Sequence, residues 1–246
     1  GRDVEDFVGF IPGEPGNKGD AEALVAMLQQ HLEQGTLAEL QTLEIAGTSV
    51  MPEKTLDSVK ENFTLASSTT SSFAKGSNDA PNRVFNLQKA CDMLNGYIIQ
   101  PGEQFSCNTV FGPRSERTGW KAAGAISNGK SVQEVGGGIC QVSSTLFNSV
   151  LKADLEIVDR VPHSWPLAYL PAGQDATSST GGPAFVFANN RSTPTVLITN
   201  VDTKAKELTI DIYGAPVADG MEIRLASEKT GTIGPPKSQA TTDPEA

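Results

Sequence analysis

Three successive glycines, Gly136, Gly137 and Gly138, run straight into Ile139-Cys140-Gln141-Val142-Ser143-Ser144-Thr145-Leu146, and no other stretch of this chain limits its fold so tightly. Lacking Cβ atoms, the three residues open left-handed backbone conformations and let a second segment or a ligand come close. From Ile139 the apolar residues recur at Val142, Leu146, Phe147, Val150 and Leu151. That spacing predicts an amphipathic helix with one buried stripe. Cys140 then falls in the first turn, where unpaired N–H groups and the positive end of the macrodipole suit a reactive cysteine.

The remaining elements follow from local pattern. Residues 7–11 read as an incoming strand followed by a Gly/Pro-rich loop. Asp20 is a natural N-cap for a helix over 21–34 with Leu24, Val25, Leu28 and Leu32 at helical spacing, ended by Gly35. His31 in that helix has no nucleophile nearby and reads as a surface or half-buried side chain. A short helix over 52–61 and an extended Ser/Thr-rich segment over 63–73 complete a small α+β unit. Residues 75–81 form a polar turn, and 83–95 a helix that carries Cys91 on its apolar face as a core residue.

Strands are expected at 97–99 and 104–107, with Cys107 a strand thiol because no helix start follows it. The loop 111–120 brings Arg114 and Arg117 near Trp120. Its arginine forks either hold an acidic peptide or pair with Glu116. Beyond the glycine helix, strands are expected at 155–158, 167–170, 184–187, 196–199 and 208–213. From about residue 227 the composition shifts to that of a linker or disordered tail.

With 246 residues the chain can form one large domain or two modest ones. The expected architecture is α+β: a small N-terminal α+β portion over 1–61, a mostly antiparallel β portion over 62–226 that bears the Cys140 helix, and a tail over 227–246. A net charge of −10 and the absence of a basic patch with interleaved aromatics argue against a nucleic-acid partner. Three cysteines at wide, unequal spacings match neither a disulfide framework nor zinc-ligand pairs, so no metal or other cofactor is expected. No apolar run is long enough to span a membrane, and any export signal or anchor is expected to lie outside residues 1–246.

A cysteine at a helix start with a histidine downstream on extended backbone is what thiol acyl transfer requires: a thiolate to attack a carbonyl, an imidazole to take and return the proton, and N–H groups to hold the oxyanion. His163, flanked by Pro162 and Pro166, is the one histidine beyond residue 31. Asp175 is the first candidate to orient it, with Asp159 and Gln174 behind. On pattern alone, the run reads equally well as a close-packing turn that leads into a helix with a buried cysteine.

The stretches Arg83…Asn86-Leu87, Pro101-Gly102-Glu103-Gln104-Phe105-Ser106, Phe111-Gly112-Pro113-Arg114, Gly136 through Asn148, Arg160…His163-Ser164, Pro171 through Thr177 and Phe187-Ala188-Asn189-Asn190 together resemble the VanW domain family, in the right order and over roughly residues 62–215. Residues before 62 are similar to the end of the peptidoglycan-binding domain that often precedes it. The resemblance implies a Gram-positive cell-envelope protein, extracytoplasmic and facing the wall. It also implies an L,D-transpeptidase activity like that of clostridial members, without the usual fold of such enzymes.

Carried onto this chain, Cys140 attacks the diaminopimelate carbonyl of a donor tetrapeptide stem and releases D-Ala, His163 is the base, and the amine of a second stem resolves the acyl-enzyme. Gly137, Gly138, Gln141, Ser143 and Ser164 would line the substrate, with Arg114 or Arg160 on a substrate carboxylate and the glycines giving room to a peptide backbone. Ser115-Glu116-Arg117-Thr118 departs from the usual Arg-Thr followed by an acidic residue and glycine. A papain-like cysteine hydrolase of wall peptides and a non-catalytic peptidoglycan-binding module are the competing readings.

Overall fold

The structure, a computed structural model, describes residues 9–39, 42–53, 55–75, 80–127, 130–217, 221–232 and 234. Its first elements form a small unit in which strand β1 (Gly16–Gly19) pairs antiparallel with β2 (Gly47–Val50), with helix α1 (Ala21–Glu33) between them in the chain. Asp20 caps α1 as expected, its Oδ1 accepting from the backbone N–H groups of Glu22 and Ala23 at 3.0 Å each. The strand expected over 7–11 is not formed at residues 9–11, and residues 7 and 8 lie outside the described set; the strand comes later, at Gly16–Gly19. Thr55 starts helix α2 (Leu56–Glu61), and the chain enters β3 (Thr64–Ser72) through the buried Phe63.

From there the order is α3 (Pro81–Leu94), β4 (Tyr97–Ile99), β5 (Gln104–Ser106), α4 (Cys107–Phe111), β6 (Ala122–Ser127), β7 (Lys130–Val135), α5 (Ile139–Lys152), β8 (Glu156–Asp159), β9 (Val186–Ala188), β10 (Thr195–Asp202) and β11 (Glu207–Gly214). A four-stranded sheet in the order β3-β11-β10-β4 and a three-stranded sheet in the order β5-β9-β8 are antiparallel throughout. The protein is therefore α+β with mostly antiparallel sheets.

Helix α5 packs on β3 and β11 on one side and against α3 and β8 on others. It was expected to bury one stripe, yet eleven of its fourteen residues are buried. The reason lies in β3, whose inward face is Ser67, Thr69 and Ser71 rather than bulky apolar residues. Small hydroxyl side chains bring the helix close and bond to it: Ser67 Oγ donates to the Ser149 carbonyl at 2.7 Å, and Ser71 Oγ meets Thr145 Oγ1 at 2.7 Å. Ser149 Oγ in turn donates to the Ile210 carbonyl of β11 at 2.8 Å. Most of the polar groups of α5 are thereby buried at little cost because they find partners, while Gln141 Oε1 and, on the facing strand, Thr69 Oγ1 have none among the described residues.

Three further expectations are corrected. Cys107 does not end a strand but opens α4, although it stays fully buried. Residues 167–170 form no strand; Pro166 and Pro171, which supply no ladder donor of their own, bracket the four residues and leave them too short a run to pair. The β6–β7 hairpin was not expected at all, though the Asn128-Gly129 dipeptide is its turn signal in the sequence. Cys91 is a core residue, as its helical position predicts. Residues 227–232 and 234 carry no regular structure, and the rest of the expected tail lies outside the described residues.

Candidate active site

The glycine run is tight rather than open. Gly136 and Gly138 have φ of +86° and +105°, values that favour glycine. A Cβ on Gly137 would strike the backbone carbonyl of Ala123 in β6, with the carbonyl carbon only 2.7 Å away. One on Gly138 would lie 2.8 Å from Arg83 Cγ, and one on Gly136 would lie 3.0 Å from Arg114 Cγ. The expectation that the glycines make room for a substrate peptide is thus corrected: a strand and two arginine stems occupy that room. Asn86 locks the arrangement, donating to the Gly137 carbonyl at 3.0 Å and the Lys121 carbonyl at 2.9 Å.

Cys140 follows in the first turn of α5, partly exposed, with its thiol 3.5 Å from the Ser178 carbonyl. His163 approaches from the irregular segment after β8. Its Nδ1 lies 2.7 Å from Asp175 Oδ2, and the same oxygen accepts the His163 backbone N–H at 2.6 Å. With a carboxylate as acceptor the proton sits on Nδ1, which leaves Nε2 as the ring atom able to serve Cys140, the neighbouring side chain that acts on the imidazole. Burial alone would lower the histidine's pKa, but the contacts with Cys140 and Asp175 outweigh it and raise it above the ordinary 6.5.

Arg160 fixes the carboxylate. Its Nε donates to the Asp175 carbonyl at 2.6 Å, and its Nη2 to Asp175 Oδ1 at 3.3 Å and the Gly173 carbonyl at 2.9 Å. The guanidinium lies over the Phe147 ring, 5.0 Å from its centroid. Arg160 is therefore committed to protein partners, not to a substrate carboxylate. Asp159 is exposed on β8 and Gln174 Nε2 donates to Ser227, so of the three polar groups weighed for the histidine it is Asp175 that meets the ring.

Two expected substrate contacts are also corrected. Gln141 is fully buried and donates to Ser71 Oγ at 3.0 Å and the Ser72 carbonyl at 3.2 Å. Ser143, equally buried, donates to the Ala176 carbonyl at 2.7 Å. Both tie α5 to its neighbours and present nothing to the surface. Ser164 is exposed beside His163. Arg114 is half-buried and, contrary to the ion pair with Glu116, donates from Nη2 to Asn108 Oδ1 at 2.6 Å and Ser178 Oγ at 2.5 Å. His31 lies apart on α1, its Nδ1 2.9 Å from Thr36 Oγ1.

Three residues without an expected role lie near the thiol, Arg83, Tyr169 and Ser178, and Asn108 joins them through Ser178, whose Oγ donates to its Oδ1 at 2.9 Å. Arg83 is buried on the first turn of α3, and burial lowers its pKa. Burial likewise drives the Tyr169 hydroxyl up, Cys140 adding to the effect, while its hydrogen bond with Ser144 opposes it. Burial pushes the Cys91 and Cys107 thiols up as well, which leaves them unreactive. Among the described residues no three His, Cys, Asp or Glu side chains converge as a metal site. The arrangement as a whole aligns a thiol, an imidazole and a carboxylate, the set that acyl transfer through a thioester uses.

A family profile described as VanW like protein matches residues 82–213. The chain is 44% identical over 115 residues to the uncharacterized protein YoaR of Bacillus subtilis strain 168, an alignment covering 47% of this chain and 38% of that protein. It is 38% identical over 105 residues to the vancomycin B-type resistance protein VanW of Enterococcus faecalis strain ATCC 700802 / V583, covering 41% of this chain and 38% of that protein. The chain thus spans little more than a third of the length of these curated relatives. No solved structure matches it significantly.

Proposed function

The chain belongs to the VanW-like protein family, and on that premise we propose that it is a cysteine acyltransferase of peptidoglycan stem peptides, an L,D-transpeptidase. The observation that carries this reading is the grouping of Cys140, His163 and Asp175, in which the imidazole meets the carboxylate at 2.7 Å and lies near enough to the Cys140 side chain for the two to interact. His163 takes the thiol proton as Cys140 attacks the diaminopimelate carbonyl of a tetrapeptide stem. N–H groups at the start of α5 hold the oxyanion, and Asp175 stabilises the imidazolium.

Collapse of the tetrahedral intermediate breaks the peptide bond, and His163 returns the proton to the departing D-Ala amine. The side-chain amine of a second stem then attacks the thioester, gives up a proton to His163, and regenerates the thiol as the cross-link forms. A relative named a vancomycin B-type resistance protein supports a setting at the cell wall, outside the membrane. No helix among the described residues is long and apolar enough to cross a bilayer.

Incubating the protein with purified disaccharide tetrapeptides and weighing the products tests this directly. Cross-linked dimers, absent with Cys140→Ala, are expected. Shortened monomers alone would make the protein a hydrolase, and unchanged substrate would make it a binding module.

A further inference from the structure

The short segment Asp175-Ala176-Thr177-Ser178 touches both partners of the thiol–imidazole pair. At one end Asp175 Oδ2 holds His163, 2.6 Å from its backbone nitrogen and 2.7 Å from Nδ1. At the other end the Ser178 carbonyl lies 3.5 Å from the Cys140 sulfur and accepts its hydrogen bond. Between them, Ala176 is tied to α5: its N–H donates to Ser144 Oγ at 3.0 Å and its carbonyl accepts from Ser143 Oγ at 2.7 Å. The Thr177 N–H donates to the Val161 carbonyl at 2.8 Å, beside the segment that carries His163. This length of backbone therefore sets how base and nucleophile stand to one another.

Each end of the segment is fastened by an arginine. Arg160 holds Asp175, through its carbonyl at 2.6 Å and Oδ1 at 3.3 Å. Arg114 holds Ser178. Its Nη2 donates to Ser178 Oγ at 2.5 Å and to Asn108 Oδ1 at 2.6 Å, and Ser178 Oγ donates to the same Oδ1 at 2.9 Å, closing a ring of hydrogen bonds around the cation. Both Nη2 hydrogens are used in that ring. Asn108 Nδ2 extends the hold to the Gly182 and Pro183 carbonyls at 3.2 Å each, and the Arg114 backbone N–H donates to Thr180 Oγ1 at 3.1 Å. The loop that follows Ser178 is thus fixed to α4 and to Arg114.

We propose that Arg114 is a positioning residue: through Ser178 it holds the carbonyl that orients the Cys140 thiol, as Arg160 through Asp175 holds the imidazole. This role rests on the acyl-transfer reading and assigns the arginine to the nucleophile rather than to the substrate. The cysteine side chain turns about one χ1 bond among staggered positions, so a fixed acceptor for its S–H selects where the sulfur sits. A displacement of the sulfur on the order of 1 Å is enough to slow attack on a bound carbonyl severely.

Arg114→Met keeps the stem that packs at Gly136 and removes every donor, while Arg114→Lys keeps a cation within reach of the ring. The S–H stretching band of Cys140, isolated by subtracting the infrared spectrum of Cys140→Ala, is expected to move toward that of an unbonded thiol in Arg114→Met and to return in part in Arg114→Lys. Acyl-enzyme formation with a tetrapeptide stem should slow at least about tenfold in Arg114→Met, and in the Cys140→Ala protein the same substitution should leave the Kd for the stem within about twofold. Ser178→Ala, which removes the hydroxyl from the other side of the ring, should reproduce these effects and serves where Arg114→Met does not fold. An unmoved band, an unchanged acylation rate, or a loss of stem affinity of about tenfold in the Cys140→Ala protein overturns the proposal, the last by making Arg114 a substrate contact. If the band moves but the wild-type protein forms no acyl-enzyme, the positioning role stands and the acyl-transfer reading falls.

Discussion

One carboxylate oxygen, Asp175 Oδ2, accepts both the backbone N–H of His163 at 2.6 Å and its ring Nδ1–H at 2.7 Å. That double contact fixes the position and the tautomer of the ring together. Asp175→Asn puts an amide there: with its oxygen toward His163 its NH2 faces Arg160 Nη2, donor against donor, and with its NH2 toward His163 both donors lose their acceptor, so in either case Nδ1 no longer has a carboxylate behind it. We expect kcat/KM for stem-peptide transfer to fall by roughly 100-fold or more, mostly in kcat. Unchanged steady-state kinetics would remove Asp175 from the reaction.

The histidine also makes a pH signature in stability. Its folded pKa is raised above the ordinary 6.5, so the folded state binds the proton more tightly than the unfolded chain. The stabilisation is complete below that ordinary value and is lost as pH rises through the higher folded one. Thermal unfolding should show wild type exceeding His163→Gln by a wider margin at about pH 5.5 than at about pH 8.5, on either side of the ordinary histidine range. A margin that is flat or widens with pH contradicts the contacts to Asp175 and Cys140.

Of the three thiols, Cys91 and Cys107 are buried at 1% and 0% exposure and held well above the ordinary thiol range, while Cys140 is partly exposed. A thiol titration of the native protein should give one fast-reacting equivalent, none in Cys140→Ala, and three after denaturation. Two or more fast equivalents in the native state would mean the core around Cys107 opens readily.

Gly137 is the tightest point of the run. A methyl group there meets backbone on β6, which cannot rotate aside. Gly137→Ala should lower unfolding stability by about 2 kcal/mol or more in chemical denaturation, whereas Gly19→Ala, with open space around it, should change it by less than ~0.5 kcal/mol. Similar values for the two would show that the β6 contact does not constrain the helix start.

The sequence carried the elements with strong local signals. Helices α1, α3 and α5 follow from apolar spacing and, for α1, from the Asp20 cap, and Cys140, His163 and Asp175 are legible as residue types in a known order. What local pattern could not carry was the packing partner of each surface. The hydroxyl-rich face of β3 gives no hydrophobic signal, so α5 looked amphipathic although it is buried nearly all round. Gln141 and Ser143 stood in the motif and were read as substrate contacts, when their partners, Ser71 and Ala176, lie about seventy and thirty residues away. Arg83 and Tyr169 reach the thiol only through tertiary folding, from a helix and a proline-rich segment whose sequences say nothing about it.

The proposed reaction requires that Cys140 form a thioester with a stem peptide. Intact-protein mass spectrometry after brief incubation with a tetrapeptide stem, followed by peptide mapping, measures this directly. The expected product is an adduct equal to the stem minus its terminal D-Ala, located on Cys140 and absent from Cys140→Ala, with His163→Gln slowing its appearance. An adduct on another residue, or none at Cys140 while products still accumulate, would contradict it.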